Sequence, residues 1–154
     1  MKLPNNQKAF TLIELLLVVA VIATLAVIVF LALNPAQRLK DAKDARRTTD
    51  VDQILSAIHE YVIDTKGTFP VSSPQAEVQL GTATSGCGIV TGGCNALSTA
   101  CTDLSVKLVK YLDVMPIDPT GTQYVTKYTV IVDANNIVTV RACAADNGNI
   151  SASR

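Results

Sequence analysis

Hydrophobic and polar positions divide the chain into three lengths. From Phe10 to Leu33 the residues are apolar almost without interruption, broken only by Thr11, Glu14 and Thr24. A helix over these residues rises about 36 Å at roughly 1.5 Å per residue, enough to cross a hydrocarbon core of about 30 Å. Glu14 is the one charge inside the run. A charged side chain placed within a membrane span costs roughly 2.5–3.5 kcal/mol on insertion scales, so this carboxylate needs a reason: a partner charge, or a snorkelling or protonated side chain at the membrane edge.

The second length covers residues 36–66. Leu39, Ala42, Ala45, Val51, Ile54, Leu55, Ile58, Tyr61 and Val62 fall close to the i, i+3, i+4, i+7 stripe of an amphipathic helix. Asn34-Pro35 separates this helix from the apolar run, and Gly67 after Lys66 is its stop signal. Continuous helix from Phe10 to Lys66 would measure roughly 85 Å at 1.5 Å per residue.

The third length is shorter in rhythm. Residues 71–101 are rich in Ser, Thr, Gly and Pro and read as loop. Thr102–Leu112 reads as a short helix with Thr102 as N-cap. Gln123–Val132 and Ile137–Arg141 are β-rich and flank the turn residues Asp133-Ala-Asn-Asn136, which predicts a hairpin. A third strand is expected near 111–117 or at the C-terminus. The predicted class is α+β: a long N-terminal helix, one half membrane-like and one half amphipathic, with a small antiparallel sheet packed on the stripe of residues 51–62.

Composition adds two constraints. Thirteen bases balance thirteen acids, so the total charge favours no nucleic-acid partner. The bases Arg38, Lys40, Lys43, Arg46 and Arg47 alternate with Asp41, Asp44, Asp50 and Asp52, the pattern of a solvated helix face. More bases follow the apolar run than precede it, opposite to the positive-inside bias. The four cysteines, Cys87, Cys94, Cys101 and Cys143, all follow the run and fit two disulfides in an oxidising compartment. They lack the C-x-x-C spacing of a zinc site. Of the three possible connectivities we expect Cys87–Cys94 within the loop and Cys101–Cys143 to the last strand.

Candidate chemistry is sparse. His59 is the only histidine and has no Cys or second His at ligand spacing. No Gly-x-Ser-x-Gly, P-loop or Gly-x-Gly-x-x-Gly is present, so the chain does not read as an enzyme and implies no cofactor.

The N-terminus resembles a known family. Lys8-Ala9-Phe10-Thr11-Leu12-Ile13-Glu14-Leu15 before a long apolar helix is similar to the start of type IV pilins and type II secretion pseudopilins. A secretory signal peptide has a shorter apolar core, about 7–15 residues, ending at small residues. The resemblance implies a leader of residues 1–9, cut between Ala9 and Phe10 by a prepilin peptidase. Phe10 then carries an N-methylated amino group. Ala9 stands where the family usually has Gly, and Leu31 where a helix-bending Pro is frequent. The resemblance also implies that Glu14 sets subunit register by meeting the amino terminus of a neighbour. It implies a pilin fold with a polymerisation helix over 10–34, its amphipathic continuation over 35–66 and a head over 67–154.

A second likeness lies in Pro116-Ile-Asp-Pro-Thr-Gly121, which is similar to the Pro-x-Asp-Pro-x-Gly segment of major pseudopilins. Some of those heads bind calcium nearby, which makes Asp118 a weak calcium candidate, with Asp113 or Asp133 beside it. Calcium takes six to eight oxygens, and no dense loop of Asp and Asn is present here. The implied partners are copies of this chain in a fibre, the peptidase, an assembly platform and, before assembly, membrane lipid. The implied location is a single pass through the cytoplasmic membrane with the head outside, then a periplasmic or cell-surface fibre. The competing reading is a single-pass anchored binding module that does not polymerise. A DNA-uptake fibre rests only on the basic cluster and on the association of the resembled family with competence.

Overall fold

The computed structural model describes residues 10–73 and 75–154. The expected leader, and with it Ala9, lies outside the described residues. Two compact units are present, one ending at Arg38 and one spanning Leu39–Arg154.

The first unit contains helix α1, Leu12–Leu33, with Thr11 as its N-cap. None of its residues is buried. It ends at Asn34, whose left-handed φ of 39° stops the helix. Helix α2, Pro35–Asp64, begins there with proline at its first position, where the missing N–H costs nothing. The interruption read from Asn34-Pro35 is therefore observed.

In the second unit α2 buries Val51, Ile54, Leu55 and Ile58 of the predicted stripe together with Ala57. Leu39, Ala42 and Ala45, expected on the same stripe, are exposed because the sheet does not reach that part of the helix. It stops through Lys66 and Gly67, both at positive φ, with Gly67 N donating to Val62 O at 2.8 Å. That bond satisfies one of the carbonyls a helix end leaves free. Facing the stripe is an antiparallel sheet ordered β1 (Gln75–Gln79), β2 (Tyr128–Val132), β3 (Val138–Ala142), β4 (Ile150–Ser153). Register pairs Val78 with Val130 and Val130 with Val140, so one sheet face is valine-rich. That face joins the α2 stripe in one core together with Tyr128, Leu104 and Leu108. The α+β class expected from the sequence is observed.

Several local expectations are corrected. The helix after Thr102 is only α3, Ser105–Leu108, and its N-cap is Leu104 without a side-chain bond. Thr102 instead bridges Leu80 as an extra rung beside β1, its N–H donating to Gln79 O at 2.8 Å. The hairpin strands lie at β2 and β3, and the third strand lies at the C-terminus rather than near 111–117. A further strand, β1, occupies part of the segment read as loop. Its alternation is short and broken by a register shift between Gln75 and Val78.

The expected disulfides are also corrected. The bonds are Cys87–Cys101 and Cys94–Cys143. The cysteine loop folds back on itself: Ile89 bridges Ala96, and Cys87 N donates to Thr99 O at 3.0 Å. This brings Cys101 to Cys87 and leaves Cys94 near the end of β3, beside Cys143. Gly92 packs against the Cys143 carbonyl at φ 57°, where an added Cβ would sit 2.4 Å from that oxygen. The spans are 14 and 49 residues. In the chain-entropy model the longer closure stabilises by about 4 kcal/mol and the shorter by about 3. Replacing Cys94 and Cys143 by Ser should thus lower the urea midpoint of the full chain more than replacing Cys87 and Cys101, and non-reducing peptide mapping should return these two pairs.

Candidate functional site

Two constellations carry the charged side chains of interest, one in each unit. At the start of α1, Thr11 and Glu14 form a capping box. Thr11 N and Oγ1 donate to Glu14 Oε2 at 2.9 and 2.8 Å, while Glu14 N donates back to Thr11 Oγ1 at 3.3 Å. The box closes two N–H groups that the first turn would leave open. It also supplies the Glu14 carboxylate with hydrogen bonds from its own chain. Phe10 precedes the box and is 85% exposed.

Beyond the box, α1 is an apolar cylinder. Its 22 residues rise about 33 Å, long and apolar enough to cross a hydrocarbon core. Thr24, its one further polar side chain, donates to Val21 O at 2.8 Å and so is satisfied within the helix. A surface of this kind is far larger than the apolar patches of ordinary soluble monomers and marks a membrane or protein contact.

In the second unit the constellation centres on Arg47. The expectation that Arg47 belongs to a solvated face is overturned, for it is 1% exposed. Its Nε and Nη2 meet Asp118 Oδ2 and Oδ1 at 2.6 and 3.3 Å. Its Nη1 meets Asp44 Oδ1 at 2.7 Å and Asp146 Oδ2 at 2.8 Å. Asp44 in turn accepts from the backbone N–H groups of Asp146 and Asn147 at 3.0 and 2.9 Å. One guanidinium therefore joins α2, the Pro116–Gly121 turn and the turn leading to β4. A planar fork with five donors suits this task, as a lysine would not.

The remaining predicted site residues fall as follows. Asp118 is buried, and besides Arg47 it accepts from Thr120 N and Oγ1, both at 2.7 Å. Its oxygens thus face donors. Asp133 caps its own hairpin turn through the N–H groups of Asn135 and Ile137. Asp113 is exposed, and the structure does not bring it to Asp118 through any direct contact among the described residues. His59 is half-buried on α2 with Nδ1 unpartnered among the described residues. On the outer sheet face, buried Glu77 accepts from Thr129 Oγ1, Asn95 N and Arg141 Nη1, which ties the cysteine loop to the strands.

Sequence reading missed Arg47 because its neighbours are charged. The available signal was spacing: 44, 47, 51, 54 and 58 share one helix face, so the apolar stripe continues into charged residues.

Electrostatics follow from burial. Burial pushes the Asp44 carboxyl up, but donors from Asp146 N, Arg47 and Asn147 N outweigh it and hold it below its ordinary 3.8. For Asp118 burial again acts upward and is outweighed by Arg47 and Thr120, so it too lies below 3.8. Burial, then the bond to Asp50 at 2.7 Å, raises Tyr128 and keeps it a neutral donor.

Comparison with known proteins gives one match. Residues 4–30 match the family model of the prokaryotic N-terminal methylation motif, which spans the Ala9–Phe10 junction, Glu14 and most of α1. No curated protein and no solved structure matches the chain. The chain thus carries the N-terminal methylation motif that marks the leader of type IV pilins and pseudopilins.

Both depressed carboxyls contribute stability that is complete above about pH 4 and is lost as pH falls through their folded values. Arg47→Met removes the cation that Asp44, Asp118 and Asp146 share among the described residues and leaves their charges unpaired, a cost of about 3–5 kcal/mol. Urea unfolding of the full chain in detergent between pH 6 and pH 3 checks this. The variant should be less stable at pH 6, and its deficit should shrink as the carboxyls protonate.

Proposed function

We propose that the chain is a structural subunit of a type IV pilus or related pseudopilus, not an enzyme. The reading rests on one coincidence. The methylation motif over residues 4–30 falls on a helix that is apolar, wholly exposed and charged only at Glu14, four positions after Phe10. An anchor that stayed monomeric would need neither the motif nor the carboxylate.

The physical sequence is as follows. Prepilin peptidase cuts between Ala9 and Phe10, the new amino group is methylated, and α1 remains in the membrane because the cut precedes it. In storage, lipid covers the apolar cylinder and Thr11 hydrogen bonds ease the burial of Glu14. In the fibre, α1 helices of neighbouring copies cover one another. The amino terminus of a neighbour then faces Glu14, and two charges that are each costly in an apolar surrounding offset one another. The Leu39–Arg154 unit stays outside the membrane, where its disulfides form.

Two measurements test the proposal. Mass spectrometry of membrane-extracted protein should find a chain that begins at N-methylated Phe10, and an intact Met1 terminus would overturn the reading. Glu14→Gln keeps an acceptor for the capping box and removes the charge. It should remain in the membrane while the yield of sheared fibres falls by more than about tenfold, because breaking a buried pair leaves its partner unpaired. An unchanged yield would remove the role assigned to Glu14.

A further inference from the structure

Charges along α2 are sorted in the order a helix disfavours. Residues 36–47 hold five bases (Arg38, Lys40, Lys43, Arg46, Arg47) against two acids (Asp41, Asp44), a surplus of three. Residues 48–64 hold four acids (Asp50, Asp52, Glu60, Asp64) and no Lys or Arg. No acid lies in the first turn of the helix and no base in the last. The macrodipole favours the reverse arrangement by about 0.3–1 kcal/mol per charge near an end.

Part of this sorting is resolved within the unit. Arg47 holds Asp44 and Asp118, Arg46 leans on Asp50 at 3.6 Å, and Asp64 is paired with Lys110 and accepts from Tyr111. Lys40 and Lys43 at one end, and Asp52 and Glu60 at the other, have no side-chain partner among the described residues. Asp52 and Glu60 line a shallow groove with Thr49, Gln53, Ser56 and Asp113, so three carboxylates border it without a cation. At about 100° per residue, Lys40, Lys43 and Arg46 lie roughly a third of a turn round the helix from this groove. The two charge centres are some 13 residues apart, about 20 Å along the axis.

We infer that the acidic groove on α2 docks the Lys40–Lys43–Arg46 flank of a second copy, displaced by about 20 Å in a parallel array. This rests on the polymer reading above and adds the contact that its outer units make. The occupant is set by charge complementarity: the chain carries both halves of the match and is neutral overall, with thirteen bases and thirteen acids. A polyanion such as DNA, or an anionic lipid surface, would answer the basic flank and leave the groove unmatched. Two different patches that meet head to tail build an open filament where the rotation between copies does not close, which is the arrangement of a fibre. The sorting that costs each helix a little is offset once copies are staggered.

Charge exchange tests this in the full chain, with fibres collected by shearing. Lys40→Glu with Lys43→Glu, or Asp52→Lys with Glu60→Lys, should each lower fibre yield about tenfold by placing like charges together. All four substitutions in one chain should restore the yield to within about twofold. Non-reducing gels verify that each variant retains both disulfides. Independently of any variant, zero-length carbodiimide cross-linking of wild-type fibres grown from isotopically light and heavy subunits should join Lys40 or Lys43 to Asp52 or Glu60 across mixed pairs. Failure of the fourfold variant to recover, or cross-links confined to pairs of one isotope, overturns the inference. So does a loss of anionic-vesicle binding with unchanged fibre yield. If wild-type protein keeps Met1 and makes no fibres, the polymer reading itself has failed. Fibres indifferent to all three exchanges sink only this contact.

Discussion

Arg47 is the point on which the Leu39–Arg154 unit depends. Its guanidinium is taken out of water and answered by three carboxylates from three separate segments. Removing a charge from water costs several kcal/mol, so such a group persists only when it is paired and hydrogen-bonded. That requirement fixes the N-terminal half of α2, the Pro116–Gly121 turn and the turn before β4 at once. The valine-rich sheet and the α2 stripe supply the non-directional attraction. The guanidinium adds direction, and without it the apolar surfaces would allow more than one placement of the loops.

The first unit obeys the opposite rule. Its helix satisfies every interior backbone group internally and has no buried face, so its stability as an isolated object in water would rest on propensity alone. The length and apolar character of this helix suit a lipid medium or an apolar protein contact. The Thr11–Glu14 box is the one polar feature it offers, and it lies at the end nearest the proposed cut. Polar chemistry around Arg47 in the Leu39–Arg154 unit is inward and structural, while in α1 it is concentrated at the N-terminal end.

Charge sorting on α2 connects these two rules. Where acids and bases meet within the unit they brace it, as at Arg47 and at Asp64 with Lys110. Where they do not, they are segregated along the helix against its own dipole, an arrangement that gains nothing inside a single chain. The apolar helix and the unmatched charges both look outward, and in the proposed fibre both would be met by other copies.

Much of this was legible in the sequence, because it is local. The apolar run, the break at Asn34-Pro35, the stop at Gly67, the α2 stripe and the β2–β3 hairpin each follow from periodicity or turn chemistry within a few residues. The α+β class could be read the same way, and the methylation motif through the resemblance carried by Lys8–Leu15. The disulfide pairing, strand β1, the shortened helix after Thr102 and the burial of Arg47 could not. Each is decided by residues distant in the chain: Cys94 reaches Cys143 only because the cysteine loop folds over the end of β3, and Arg47 is buried only because Asp118 and Asp146 arrive from elsewhere. Sequence by itself determined the two long helices, the break between them and the β2–β3 hairpin, since those depend on neighbours in the chain. The tertiary structure alone decided which charges are braced inside and which stay exposed, since that depends on what long-range packing brings within hydrogen-bonding distance.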